Sequence, residues 1–341
     1  MPEINFPYTA VELTEEINRI PNTYGLLNEL DLFPSQGIAS TLVEIRFEDG
    51  VLHVLPRVER GGAPTEAERG KGKAIYLEVP HFPHQDVLKP KDLENMLRLR
   101  GGALRRQTAD DLMAKRLDEM RGKHAITREY LRTGALKGTI VDGAAKTIYD
   151  LFDVFGIVKK TVDFVLGTGT TDIIAKCEEV RDHIITNLKG ESMTGVEVIV
   201  SSSFFNKFVQ HAEVEKFWLQ TQGAQELIRL ARDTRGNNWG RVFEFQEITF
   251  REYKGVAPLK SGSVPFVAAG YGHAYPAGTM NAFATYDGPA YHWDFIDDPG
   301  IEMYISTKIL DHGQGVELVS QSNPLPVCKR PELLVEVSTS N

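Results

Sequence analysis

An α+β fold is what this 341-residue sequence predicts. One long amphipathic helix fills the stretch after Thr108, and strand-like alternation stands on both sides of it. Helices and strands then mix without a repeating β–α unit or an internal repeat. With 42% hydrophobic and 25% charged residues, the chain has room for about two domains at roughly 150 residues each. A core of that size forms without metals or disulfides. Cys177 and Cys328 lie far apart and outside any C-x-x-C pattern, so they read as buried thiols in a reducing compartment.

The elements follow in order. Residues 1–40 read as an arm. Thr9 and Glu12 stand in capping-box register, and Val11, Leu13, Ile17 and Ile20 form an apolar face before Pro21. So short a helix is marginal in water and must lie on its own domain or on a neighbour. Val43, Ile45 and Phe47 alternate with Glu44, Arg46 and Glu48, as in a half-buried strand. Glu48-Asp49-Gly50 reads as a turn and Val51 to Leu55 as the return strand. From Arg57 to Lys73 the chain holds eight charged residues and four glycines, then resumes as a strand at Ala74–Val79. Such a stretch is either a disordered surface loop or one that protrudes and orders on another chain.

Thr108 is the expected N-cap of the long helix, with Asp110 and Asp111 at the positive end of its dipole. Met113, Leu117, Met120, His124 and Leu131 make its inward stripe. Arg116, Asp118, Glu119, Arg121, Lys123, Arg128 and Glu129 cover the wet remainder, and Arg132 and Gly134 close it. About 24 residues give roughly 36 Å of helix. A hairpin follows, Leu136–Val141 and Thr147–Phe152 about an Asp142-Gly143 turn. Gly167 to Thr171 marks a domain boundary. Beyond it, Asp172–Leu188 is a helix with Ile173, Ile174, Cys177, Val180, Ile184 and Leu188 inward, and Val196–Val200 is a buried strand. Ser201 to Ser203 cap a short helix with Phe204, Phe205 and Phe208. Val214–Ala231 reads as helical, and Val242–Phe250 and Val264–Ala269 as strands. Tyr304–Leu310 and Val316–Ser320 flank the turn Asp311-His312-Gly313-Gln314-Gly315, and Leu333–Val337 closes the chain.

Little of this carries chemistry. His81 and His84 are interrupted by prolines and lack a third ligand, so two loop histidines are expected, not a metal site. Gly167 to Thr171 lacks the lysine of a phosphate-binding loop. Tyr271 to Pro276 reads as an aromatic ligand pocket or a packed loop, and Asp297-Asp298-Pro299-Gly300 as a turn. Arg98, Arg100, Arg105 and Arg106 form the one basic cluster. A solvated face is its default reading, and nucleic acid or a partner's acidic surface the alternative. The net charge of −9 disfavours a general nucleic-acid binder. There is no signal-peptide pattern and no apolar run of the roughly 20 residues needed to span a bilayer, so no membrane association is expected. No catalytic residue, cofactor or metal is expected. A soluble metal-dependent enzyme using His81, His84 and another histidine stays as the rival from a different class, and a nucleic-acid-binding module as the third.

The order of the parts, with three blocks of text, resembles the lambda-like capsid E family of tailed-bacteriophage major capsid proteins. The blocks are Arg60 to Thr65 running on through Lys89-Pro90, Arg105 to Ile157, and Ser320 to Pro326 leading to Pro331–Val337. Together they span most of the chain. The resemblance implies the Hong Kong-type capsid fold, in which hexamers and pentamers close an icosahedral shell around double-stranded DNA without reading its sequence. It implies an N-terminal arm at 1–40 and an extended loop at 41–88. A peripheral domain would take 89–165 and 298–322, and an axial domain 166–297 and 323–341. Met113, Leu117, Met120, His124 and Leu131 would line the spine helix. Arg57, Glu59, Arg60, Glu66, Glu68, Arg69, Lys71 and Lys73 would touch a neighbouring subunit. Asp311, His312, Gly313, Gln314 and Gly315 would form the turn near a three-fold contact, which offers no asparagine for a lysine crosslink, so noncovalent locking is expected.

Implied partners are further copies of the chain, a scaffolding protein, a portal and a decoration protein. The implied location is the virion, after assembly in the host cytoplasm. A scaffolding segment ahead of the arm is not expected. An encapsulin-like nanocompartment shell is the alternative on the same fold. The whole reading expects the arm and residues 41–88 to find their stabilising contacts on other copies.

Overall fold

The arm helix forms where its capping box places it. Glu12 N donates to Thr9 Oγ1 at 3.2 Å, and Thr9 N donates to Glu12 Oε2 at 2.9 Å, satisfying two orphan donors of the helix Ala10–Arg19. The computed structural model describes residues 9–19, 22, 24–47, 73–92, 97–100, 103–106, 109–189, 191–220, 239–260, 262–295 and 298–340. Leu13 and Ile17 bury themselves with Met113, Met120, Met303, Ile305 and Leu318 of the same chain. Thr14 Oγ1 accepts from Ile305 N at 3.0 Å and meets Ile305 O at 3.2 Å, so the helix satisfies the backbone of an edge strand. This corrects the expectation that the arm is stabilised by other copies: its helix rests on its own body. Val11, read as inward, is 42% exposed, and Ile20 lies outside the described residues.

The strand Leu42–Phe47 alternates as expected, with Val43 and Ile45 buried. Its antiparallel partner is Lys73–Glu78, with Phe47 opposite Lys73 and Leu42 opposite Glu78. The turn and return strand read at 48–55 lie outside the described residues.

The long helix runs Ala109–Lys137, 29 residues, and passes the glycine expected to end it. Gly138, at φ +85°, makes the left-handed stop, and an added side chain there would strike the Phe152 ring. Gly134 serves close approach: its missing Cβ would stand 2.9 Å from Thr139 O and 3.1 Å from Ile140 Cα. The Asp142 turn then joins the short strands Thr139–Val141 and Thr147–Asp150, Asp142 Oδ1 accepting from Ala144 N and Lys146 N at 2.8 Å.

A six-stranded sheet forms the second body. Its spatial order is Val242–Phe245, Ile248–Glu252, Gly195–Val200, Tyr271–Ala277, Val335–Ser338 and Lys160–Asp163. Val196, Val198 and Val200 face Cys177, Val180, Ile184, Phe204 and Phe208 of the helices Ile173–Leu188 and Ser202–Gln210. Ile199 points the other way, into the central core. Asp172 and Ser201 cap those two helices. Four sequence readings change here. Val242–Phe250 is a hairpin, since Gln246 and Glu247 take φ of 50° and 61°. Tyr271–Pro276 belongs to a central strand, not a pocket or loop, and Ile174 is 40% exposed. Of Val264–Ala269, only the first two residues continue the strand Gly262–Pro265. Of Val214–Ala231, residues up to Gln220 form the helix Ala212–Gln220, and the rest lie outside the described residues.

Two three-stranded sheets complete the frame. One orders Tyr304–Ile309, Val316–Ser322 and Phe82–Leu88; the other orders Ser35–Gly37, Phe283–Asp287 and Pro324–Cys328. Proline in the last strand is tolerated because that strand is an edge. Cys177 and Cys328 are free, buried thiols in separate cores.

The glycines of the long helix give a paired prediction. Gly122 has nothing within 4 Å of its missing Cβ, so Gly122→Ala is expected to stabilise by about 1 kcal/mol. Gly134→Ala, pressed against backbone, is expected to cost about 2 kcal/mol. Urea denaturation midpoints of the two variants check both signs.

Candidate functional site

The long helix is the organising element, and its charges do what the sequence did not foretell. Arg121, Arg128, Glu129 and Arg132, expected on its surface or at its end, are all buried. Arg128 Nη1 and Nη2 donate to the two carboxylate oxygens of Asp287 at 2.8 and 2.9 Å, and Nη2 also reaches Ser35 Oγ. Burial opposes the Arg128 charge, but the Asp287 bonds and charge, with Glu302, outweigh it and raise its pKa. Arg132 donates to Asn28 Oδ1 at 2.9 Å and Phe33 O at 3.1 Å. Burial, then the neighbouring Arg128 charge, brings its pKa down to about 10. Glu129 Oε1 accepts from Leu27 N at 2.9 Å and from Tyr253 Oη at 2.8 Å, and burial pushes its pKa up. Arg121 donates to Ile17 O and lies 3.7 Å from Glu302. One helix thus fastens the arm, the segment 24–38, the strand Phe283–Asp287 and Tyr253 of the far body.

On the same helix Met113, Met120, His124 and Leu131 are buried and Leu117 partly so. His124 is clasped from both sides, Nδ1 by Ser322 Oγ at 2.7 Å and Nε2 by Ser320 Oγ at 2.9 Å. Burial first, then His84 and Lys123, hold its pKa at about 4. Asp311–Gly313 forms a single tight turn between two paired strands, with His312 at φ 59° and Gly313 at φ 66°. Gly315 packs against Leu88 O, leaving no room for a side chain. Arg57, Glu59, Arg60, Glu66, Glu68, Arg69 and Lys71 lie outside the described residues, and Lys73 begins its strand opposite Phe47.

The two histidines read for metal binding are drawn apart. His81 Nδ1 meets Asn323 Oδ1 at 2.8 Å, whereas His84 Nε2 meets Lys123 Nζ at 2.9 Å. Among the described residues no group of three or more His, Cys, Asp or Glu is placed to hold a metal ion. No helix among them is long and apolar enough to cross a membrane.

The 29-residue helix, the two-stranded ribbons and the six-stranded sheet together make the Hong Kong-type fold of tailed-phage capsid proteins. A prophage protein of Escherichia coli CFT073, described as a capsid protein, aligns over 98% of this chain and 99% of its own, with a TM-score of 0.64 at 12% identity. A phage-related protein of Bordetella bronchiseptica RB50 aligns over 96% and 95%, with a TM-score of 0.54 at 11% identity. The major capsid protein of Salmonella phage Felix O1 is 31% identical across 97% of this chain and 96% of its own. That of Pseudomonas phage KPP10 is 29% identical across the same shares. The sequence model of the family described as phage major capsid protein E matches residues 9–339, and the chain belongs to that family. It is a shell-forming capsid subunit of the virion, a structural protein by family.

Two predictions follow from the buried polar groups. Asp287→Ala strands a buried guanidinium and is expected to cost about 3–5 kcal/mol, most of it recovered when Arg128→Met and Asp287→Leu remove both charges together. Equilibrium denaturation of the single and paired variants reads this. His124 has a folded pKa of about 4, below its ordinary 6.5, so the unfolded chain binds the extra proton between those values. Stability should therefore fall as pH drops through that window, by up to about 3 kcal/mol below it. His124→Gln should flatten the dependence when denaturation is compared at pH 7.5 and 4.5.

Proposed function

We propose that the chain builds the hexamers and pentamers of an icosahedral phage head around double-stranded DNA, locked by noncovalent contacts. In this reading residues 41–88 lie over an adjacent subunit, with Arg57, Glu59, Arg60, Glu66, Glu68, Arg69, Lys71 and Lys73 among the contacts. Residues 89–165 and 298–322 form the peripheral domain, and 166–297 with 323–341 the axial domain. The Asp311–Gly315 turn meets its mates near a three-fold position. A scaffolding protein guides closure, a portal occupies one vertex, and a decoration protein is a further candidate partner. The chain has no catalytic role.

The observation that carries this reading is the two-sidedness of the Leu42–Phe47 and Lys73–Glu78 ribbon. Val43, Ile45, Ile75 and Leu77 root it in the central core, while Leu42 and Tyr76 on the opposite face are 54% and 63% exposed. A two-stranded ribbon is marginal by itself, and Leu42 and Tyr76, set among Glu44 and Glu78 on its outer face, offer apolar surface to a partner. The net charge of −9 suits a wall that must not hold the packaged genome tightly.

Phe47 and Lys73 stand opposite each other, so a short Asn-Gly turn can replace residues 48–72 without disturbing the ribbon's root. This variant is expected to keep the circular dichroism and thermal transition of the parent chain and to lose shell formation in electron micrographs. Normal shells from the shortened chain would refute the role given to the loop.

A further inference from the structure

A basic aromatic bowl and an acidic aromatic loop are left unused by the account above. The bowl has a volume of about 560 Å³, within the roughly 300–1,000 Å³ of pockets that seat a bulky group. Tyr24 and Trp239 line it with ring centroids 5.2 Å apart, and Val256 beside them is 47% exposed. Trp239 Nε1 donates to Glu29 Oε1 at 2.9 Å, which fixes the indole. The charged residues of the lining, Arg241 and Lys254, are both cations. They share one carboxylate, Glu252, at 2.8 and 3.5 Å; its side chain is fully buried, whereas theirs are 53% and 58% exposed. The counter-charge is therefore beneath the surface, and the charge offered to water is positive.

The loop after the strand Phe283–Asp287 has the opposite charge. Residues 288–300 hold three aspartates and no lysine or arginine. Tyr291 and Trp293 are 90% and 87% exposed. The Asp294 side chain is 55% exposed, with His292 Nδ1 3.6 Å away. The loop beneath them is held firmly. Asn323 Nδ2 donates to Pro289 O at 2.6 Å, and Tyr291 N donates to Gln321 Oε1 at 3.1 Å. Phe295 is buried against Tyr304, ring centroids 5.0 Å apart. A loop ordered in this way loses little freedom when it binds, and Tyr and Trp are the residues in which interfaces concentrate their energy.

Within one copy the two surfaces hang on different faces of the long helix. The bowl is tied to Glu129 through Tyr253, next to Lys254, whose Oη donates at 2.8 Å. The loop is tied to Gln321, which stands between the two serines that clasp His124. Five residues at 3.6 per turn set those attachment points about 140° apart around the axis. A contact joining two different surfaces of identical copies is head-to-tail, and closes a ring when repeated by rotation.

We propose that the loop Tyr291–Asp294 of one copy of the chain seats in the bowl formed by Tyr24, Trp239, Arg241, Lys254 and Val256 of a second copy. The exposed aromatics cover the aromatic and apolar lining, and Asp294 meets the exposed cations. The proposal rests on the shell-forming role and adds to it a specific subunit contact, distinct from that of residues 41–88.

Photo-crosslinking in mixed shells tests it, with assembly yields beside it. Chains carrying p-benzoylphenylalanine in place of Tyr291 are co-assembled with an excess of isotope-labelled wild-type chain. Irradiated shells should give mixed light–heavy peptide pairs that join position 291 to the segment 239–256. Pairs confined to light chains would place the contact within one copy and overturn the proposal. Pairs with any other segment would assign the loop a different partner and overturn it too. Trp293→Ser removes an almost wholly exposed ring, so it should keep the wild-type thermal transition yet yield at least about tenfold fewer shells by sedimentation and electron microscopy. Trp293→Phe should restore the yield. Wild-type yields from Trp293→Ser would again overturn the contact. Lys254→Gln and Asp294→Asn should each lower the yield, and the two together should lower it no further than either alone. Independent losses from the two would refute the pairing of their charges. Failure of the wild-type chain to form shells under any condition would instead sink the shell-forming role, and this contact with it.

Discussion

The structure depends on the pairing of Arg128 with Asp287. It joins the middle of the longest helix to a strand that begins the return from the six-stranded body, and Ser35 adds the arm segment to the same guanidinium. Around it, Glu129 and Arg132 hold Leu27, Asn28, Phe33 and Tyr253. Buried ion pairs of this kind add little net stability over an apolar replacement, because desolvation offsets most of the attraction. Their effect is on register. A helix packed by leucine and methionine alone can slide by a turn at small cost. One whose bidentate arginine must find a single carboxylate cannot.

That fixed register explains why the remainder of the subunit can be built lightly. The described ribbons Leu42–Phe47 with Lys73–Glu78 and Leu97–Arg100 with Ala103–Arg106 are two-stranded, a format with little stability of its own. Val43, Ile45, Ile75 and Leu77 root the first of them in the central core, while Leu42 and Tyr76 on its other face stay exposed. In the proposed shell, a ribbon of this kind would meet a neighbour and could change its packing while the frame kept its shape.

How far the sequence disclosed this depends on the reach of each interaction. Local signals were legible. Thr9 with Glu12, Asp142 at its turn, Asp172 and Ser201 at their helix starts all act within four residues, and each forms the bonds its position implies. The order of the arm, ribbon, helix and late hairpin was legible as well, since it carries the family likeness. The buried charges were not. Arg128 finds Asp287 across 159 residues and Glu129 finds Tyr253 across 124, so helical periodicity alone assigned them to water. Gly134 was misread because a glycine late in a helix signals a stop, whereas here it admits the backbone of Thr139. Gln246 and Glu247 hid a hairpin because neither is a residue that favours positive φ.

The arm shows how local and distant terms combine. Its capping box makes a ten-residue helix definable, but a helix that short gains its stability from what it lies on. Leu13 and Ile17 supply the apolar contact, and Thr14 answers the unpaired edge of Tyr304–Ile309. Covering that edge removes a site at which other strands would add on indiscriminately. The same helix then offers its outer side, with Val11 and Glu15, to the solvent. One face covers a strand edge, and the other is left to solvent. A subunit that must meet many identical copies without aggregating gains from having that edge closed by its own arm.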